Sequence, residues 1–128
     1  MDCIFCKIIA KEIPAHIVYE NDDFLAFLDA RPASPGHTLV VPKAHHRWVW
    51  DIPYSAEASR GKPNIGEYFE VCKKIALAQQ KAFATEMVLC QIVGEEVPHA
   101  HTSIFPDRSV AGNPKDFEGN AKKIKSNL

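Results

Sequence analysis

One stretch of this chain carries a long helical stripe, and the apolar runs around it are too short to do the same. Tyr68, Val71, Cys72, Ile75, Ala78, Ala82 and Phe83 recur at spacings of three and four, which predicts a helix over Gly66 to Ala84. Asn64 followed by Glu67 resembles a capping box with Asn in place of Ser or Thr. A short helix is predicted over Asp2 to Ala10, where Ile4, Phe5, Ile8 and Ile9 share a face; Asp2 would cap it and Pro14 stop it. The other apolar runs read as strands: His16 to Tyr19, Phe24 to Leu28, His37 to Val41, Val88 to Val93, and the alternating Val97 to Pro106. Asn21-Asp22-Asp23 turns the first two into a hairpin. Val88 to Val93 is apolar enough to be expected at the centre of a sheet. Lys43 to Pro63 reads as irregular loop. Short strands joined by tight turns favour α+β: a five-stranded antiparallel sheet with one long helix and a short N-terminal one.

The chain has 128 residues, enough for one domain (1–128) with a real core and too few for two. A net charge of -1 gives no bulk attraction for nucleic acid, so no nucleic-acid partner is expected. The basic cluster Lys122, Lys123 and Lys125 is adequately read as a solvated tail. No apolar run approaches the ~20 residues that span a bilayer, and the N-terminus lacks a signal-peptide layout, so no membrane partner is expected. The expected location is cytoplasmic, where thiols stay reduced. The four cysteines are then candidates for metal binding or packing. Cys72 and Cys90 are most simply buried small hydrophobes.

Chemistry concentrates in Val97-Pro98-His99-Ala100-His101-Thr102-Ser103-Ile104-Phe105-Pro106. On a strand, residues two apart share a face, so His99, His101 and Ser103 are expected to point the same way. Three such positions together suit a site better than a polar face turned to water. Cys3 and Cys6 form a C-x-x-C whose sulfurs, three apart on a helix, can reach one ion. His45, His46 and His99 are available to complete such a set. Taken alone, the pair is equally consistent with two ordinary thiols near a terminus. His37, beside the Arg31–Gly36 proline loop, is placed to reach a sheet-edge pocket.

Taken in order, these motifs resemble the histidine triad family of nucleotide hydrolases and transferases. The resemblance runs through Cys3-Ile4-Phe5-Cys6-Lys7-Ile8-Ile9, Glu12-Ile13-Pro14, Phe24 to Asp29, Pro35 to His45, and Val97 to His101. It implies a two-fold homodimer that extends the sheet. It also implies a purine nucleotide or nucleotide conjugate as partner. His101 would attack the α-phosphorus and form a nucleotidyl-histidine. His37 would sit near the phosphate and leaving group and help transfer a proton. Ile4, Phe5, Ile8 and Phe27 would line the nucleoside pocket, with the Asp29 carboxylate accepting ribose hydroxyls. The zinc-binding bacterial branch implies a structural zinc on Cys3, Cys6, His45 and His99.

The chain departs from the family pattern in two places. Ser103 stands where a third histidine is usual, and a hydroxyl can donate to a phosphate oxygen but cannot carry a proton as imidazole does. The loop before the triad is short and carries Glu95 and Glu96, which would favour a cationic leaving group such as an amine. These departures imply altered phosphate contacts and weak or redirected activity, with a nucleotide-binding module of lost catalysis as the alternative.

Overall fold

The computed structural model describes residues 3–54 and 63–128. The chain runs α1 (Ile4–Ile9), β1 (Ile17–Glu20), β2 (Phe24–Leu28), β3 (Thr38–Pro42), a single 3-10 turn (Val49–Asp51), α2 (Ile65–Ala82), β4 (Val88–Ile92), β5 (Thr102–Pro106) and α3 (Phe117–Lys125). The strands form one antiparallel sheet in the order β1-β2-β3-β5-β4. The fold class is α+β, as the sequence implies.

Both faces of the sheet are covered, which is why β2 and β3 are buried at every position instead of alternating. The period of two still sorts the side chains. Phe24, Ala26, Leu28, Val40 and Ile104 face α2 and α3 in one core. Leu25, Phe27, Leu39 and Val41 face α1 in a second. Two buried polar side chains bolt α2 to the junction of β3 and β5. The Tyr68 hydroxyl donates to the Val40 carbonyl at 2.7 Å and accepts from Thr102. The Gln79 amide donates to the Gly36 and Ile104 carbonyls, each at 2.9 Å. Asn64 caps α2, its side-chain oxygen accepting the Glu67 N–H.

Four expectations change. Cys3 caps α1, its sulfur accepting the Cys6 N–H at 3.3 Å; the expected cap, Asp2, lies outside the described residues. The run Val88 to Val93 forms an edge strand, not a central one, and Cys90 on it is exposed. Val88 and Ile92 pack, half-buried, against the core, while Cys90 and Gln91 are exposed. The lysine cluster belongs to a third helix, α3, which the sequence analysis read as a tail. Ala121 and Ile124 are buried, while Lys122, Lys123 and Lys125 occupy its exposed last turn and suit its dipole. The fifth strand begins only at Thr102. Upstream, the Ala100 N–H donates to the His46 carbonyl at 2.7 Å rather than to β3, so 97–101 leaves the sheet.

Candidate active site and metal centre

The departure at 97–101 splits the expected row of side chains between two places. His99 turns toward the N-terminus; His101 and Ser103 open on a cavity of about 1040 Å³. This lies at the upper end of the ~300–1,000 Å³ usual for small-molecule sites.

His99 is fully buried, and its Nε2 lies 2.8 Å from the Pro42 carbonyl. A carbonyl can only accept, so Nε2 carries the proton and Nδ1 presents a lone pair. That lone pair meets Cys3 Sγ and Cys6 Sγ, both at 3.4 Å, and His45 Nδ1 at 3.1 Å. Cys6 Sγ and His45 Nδ1 are 3.1 Å apart, and all four donor atoms lie within 4.8 Å of one another. A tetrahedral ion with bonds of ~2.0–2.3 Å separates its ligands by roughly 3.3–3.8 Å, so the cluster fits one ion with small adjustment. Burial, followed by the neighbouring Cys3, pushes the Cys6 thiol up to about 11 without a metal. Burial, countered in part by the Pro42 carbonyl, holds His99 below its usual pKa, in the uncharged form that ligates. The four residues are thus positioned to bind a metal ion, and the Cys2His2 donor set is borderline-soft.

Across the cavity, the imidazole of His101 is buried and held edge-on by Phe5 at 5.1 Å between ring centroids. Its Nδ1–H donates to the His99 carbonyl at 2.8 Å, leaving Nε2 as the free ring nitrogen. His37 sits just before β3, where Gly36 adopts φ +80; a Cβ there would meet the Phe83 ring at 2.4 Å. Ser34 pins the same loop, its hydroxyl donating to the Pro106 carbonyl at 2.6 Å. The Ala33 N–H donates to His37 Nδ1 at 2.9 Å, and His37 Nε2 makes a short hydrogen bond with Ser103 Oγ. Asp29 Oδ2 lies 3.5 Å from the same Nε2, and Asp29 Oδ1 accepts the Arg31 N–H. Burial lowers the His37 pKa; Asp29 opposes the shift and Arg108 adds to it.

Ile4, Phe5, Ile8, Phe27 and Asp29 all line this cavity with His37, His101 and Ser103, and Glu96 lies on its rim. Phe5 packs edge-on against Phe27 at 5.5 Å, forming an apolar cleft between α1 and β2. Sequence reasoning missed several lining residues. Gln91 lies opposite Ser103 in the ladder, a polar residue within an apolar run that could have signalled the site. His16 and Phe117 stack at 5.3 Å at the β1 end of the cavity, and no local pattern joins them. Gly94 seats the rim loop, since a Cβ there would lie 2.0 Å from the Trp48 ring.

The HIT domain profile matches residues 10–110. A HIT-like protein of Methanocaldococcus jannaschii is 40% identical over 122 residues, covering 95% of this chain and 91% of the relative. A histidine triad nucleotide-binding protein of Sulfolobus tokodaii superposes with TM-score 0.77 at 29% identity, covering 98% of this chain and 91% of its own. A zinc-bound histidine triad family protein of Mycobacterium smegmatis gives TM-score 0.76 at 25% identity, covering 98% and 92%. This chain belongs to the HIT family, the histidine triad proteins.

Proposed function

We propose that the protein is a nucleotide-conjugate hydrolase or nucleotidyl transferase working through a covalent intermediate on His101. One observation carries this: the buried His101 ring has Nδ1–H committed to a backbone carbonyl, so its other nitrogen is the one available to a ligand in the cavity. Ring orientation by a fixed acceptor is what an imidazole nucleophile needs. The cleft formed by Ile4, Phe5, Ile8 and Phe27 takes the nucleoside, a purine fitting its apolar walls, and Asp29 accepts from the ribose hydroxyls. Nε2 of His101 attacks the α-phosphorus; the N–P bond forms as the bond to the leaving group breaks. Water then cleaves the N–P bond and releases the mononucleotide. Ser103, which accepts a hydrogen bond from His37 Nε2–H, donates a hydrogen bond through its own hydroxyl to a phosphoryl oxygen.

Zinc is the ion proposed for Cys3, Cys6, His45 and His99, since reduced thiolates with imidazole select it. Its role is structural: it ties α1, which walls the nucleoside cleft, to the segment that carries His101. The Cys2His2 set supports a zinc-binding branch of the family as the reading for this chain, with Ser103 in place of the third triad histidine. A homodimer is supported by the unpaired edge of β4 and by exposed Phe69, Leu77, Met87 and Val93. No helix among the described residues is long and apolar enough to cross a membrane. The alternative, a nucleotide-binding module without turnover, is favoured by Ser103 and by the short loop that carries Glu95 and Glu96.

Rapid quenching of the protein with an adenylyl conjugate, followed by intact mass, tests the reading. An adduct of one adenylyl group, absent from His101→Ala, is expected, with turnover falling at least ~10³-fold in that variant. Binding of adenosine monophosphate with neither adduct nor turnover would leave the binding module standing instead.

A further inference from the structure

We infer that the described residues of the cavity supply no general acid for the leaving group, so the protein selects conjugates whose leaving group departs as a stable oxyanion, the phosphoanhydrides, over amine-linked ones. The inference deepens the proposed function and rests on His101 as nucleophile.

It starts from the loop at 31–36. A backbone N–H can only donate, so the Ala33 contact at 2.9 Å requires a lone pair on His37 Nδ1. The ring's proton therefore sits on Nε2, against Ser103. Giving that proton away would leave an imidazolate, so in this arrangement His37 donates a hydrogen bond and keeps the proton. Accepting a second proton at Nδ1 would set N–H against N–H. The loop cannot easily yield, because Ser34 is tied to Pro106 and Gly36 is wedged under Phe83. Burial of the ring acts in the same sense.

The other groups lining the cavity do not replace it. His16 is stacked on Phe117 beside β1, with β2 and β3 between it and Ser103 on β5, away from the phosphate end of the cavity. Ser103 is a hydroxyl, which donates a hydrogen bond without parting with its proton. Asp29 presents one oxygen to the Arg31 N–H and the other to His37 Nε2, so both act as acceptors. A guanidinium such as that of Arg31 is a hydrogen-bond donor and not a proton source. Glu96 remains, exposed on the rim.

The acidic rim and the missing acid pull in opposite directions, and magnitudes decide. A solvent-exposed carboxylate shifts the preference between cationic and anionic leaving groups by less than about fivefold. A positioned general acid is worth about 10²–10⁴-fold. The missing acid outweighs the rim. The step then balances without a proton: His101 Nε2 supplies the electron pair for the N–P bond, and the P–O electron pair leaves with the phosphate oxyanion. Water later takes the place of nitrogen on phosphorus and gives its proton to solvent.

The test is a series of adenylyl conjugates differing only in leaving group: pyrophosphate, phenols of graded acidity, and an alkylamine. For the wild-type protein kcat/KM should be ~10²–10⁴ times higher for the anhydride than for the alkyl phosphoramidate, and should fall steeply as the phenol becomes less acidic. Glu96→Gln should change that ratio by less than about fivefold. A phosphoramidate turned over as fast as the anhydride overturns the inference, as does a shallow dependence that turns steep in Glu96→Gln. If the mass assay detects the His101 adduct with every conjugate at equal rates, only this inference fails. If no conjugate reacts and no adduct forms, the proposed function fails and takes the inference with it.

Discussion

At the scale of single residues, tautomers decide what each histidine can do, and three carbonyl or amide partners set them. Pro42 and His99 carbonyls fix the protons of His99 and His101, while the Ala33 N–H fixes that of His37. The family resemblance implies His37 near the phosphate with a share in proton transfer; the partner that argues for a donor instead is the Ala33 backbone N–H, which no residue pattern announces. A pH prediction follows. A base whose folded pKa lies below its unfolded value favours the folded state above the unfolded pKa, ~6.5, and that contribution is lost as pH falls through it. Folding stability measured by denaturant between pH 7 and 5 should therefore fall less steeply in His37→Gln than in the wild-type protein. Equal slopes would show that burial of this imidazole has no thermodynamic consequence. The metal ligands give a second prediction. Cys6→Ser should drop metal content from about one ion per chain to a small fraction, by mass spectrometry of protein purified without added metal. An ion held at 100 times its Kd stabilises by ~2.7 kcal/mol, so the melting temperature should fall by roughly 10 °C. A variant that kept both its metal and its melting temperature would remove the cluster from the account.

At the scale of elements, β2 and α2 were legible because local and tertiary signals agree there. Phe24–Leu28 is bounded by turn residues on one side and an aspartate on the other, and α2 carries both a cap and a stripe. Elements went astray where one signal was ambiguous. Phe117, Ala121 and Ile124 do recur at helical spacing, but only three apolar residues among lysines looked like tail. Val97 to His101 alternates as a strand would, yet the Ala100 N–H bonds to His46 and the His99 ring to Pro42. Alternation reports which side chains are polar, not where the main chain finds partners. The prolines and glycine of Arg31–Gly36 make it a loop, as expected, whereas His37, expected to open the third strand, lies just before Thr38 and belongs to that loop, whose glycine shows why it is rigid. Gly36→Ala adds a Cβ at φ +80 that would sit 2.4 Å from Phe83. Strain plus displaced packing should cost ~2–4 kcal/mol, read by denaturant midpoint. Because His37 follows directly, kcat/KM should fall at least ~10-fold while the His101 adduct still forms. Unchanged stability would mean that Phe83 yields freely and that the loop is not held as described.

At the scale of the whole molecule, both faces of the sheet are covered, and among the described residues no strand pairs with the outer edge of β4. Strand β1 is flanked by α3, whereas β4 ends the sheet at the cavity's other side with Cys90 and Gln91 exposed and Val93 beyond them. Exposed Met87 follows the same edge, and Phe69 and Leu77 project from α2. A long unpaired edge with apolar neighbours is an aggregation hazard unless something pairs with it. A second copy is the occupant whose edge matches by symmetry, since a two-fold axis beside β4 sets the strand antiparallel to itself. Such an interface needs about 1,200–2,000 Å² of buried surface to be stable, which demands that α2 contribute as well as the strand. Sedimentation equilibrium should give twice the chain mass. The paired variant Leu77→Glu with Met87→Glu should halve it while leaving the circular dichroism spectrum unchanged, because both side chains are exposed in the single chain. If the wild-type protein sediments as a monomer at micromolar concentration, the apolar edge must be covered by something other than its own copy.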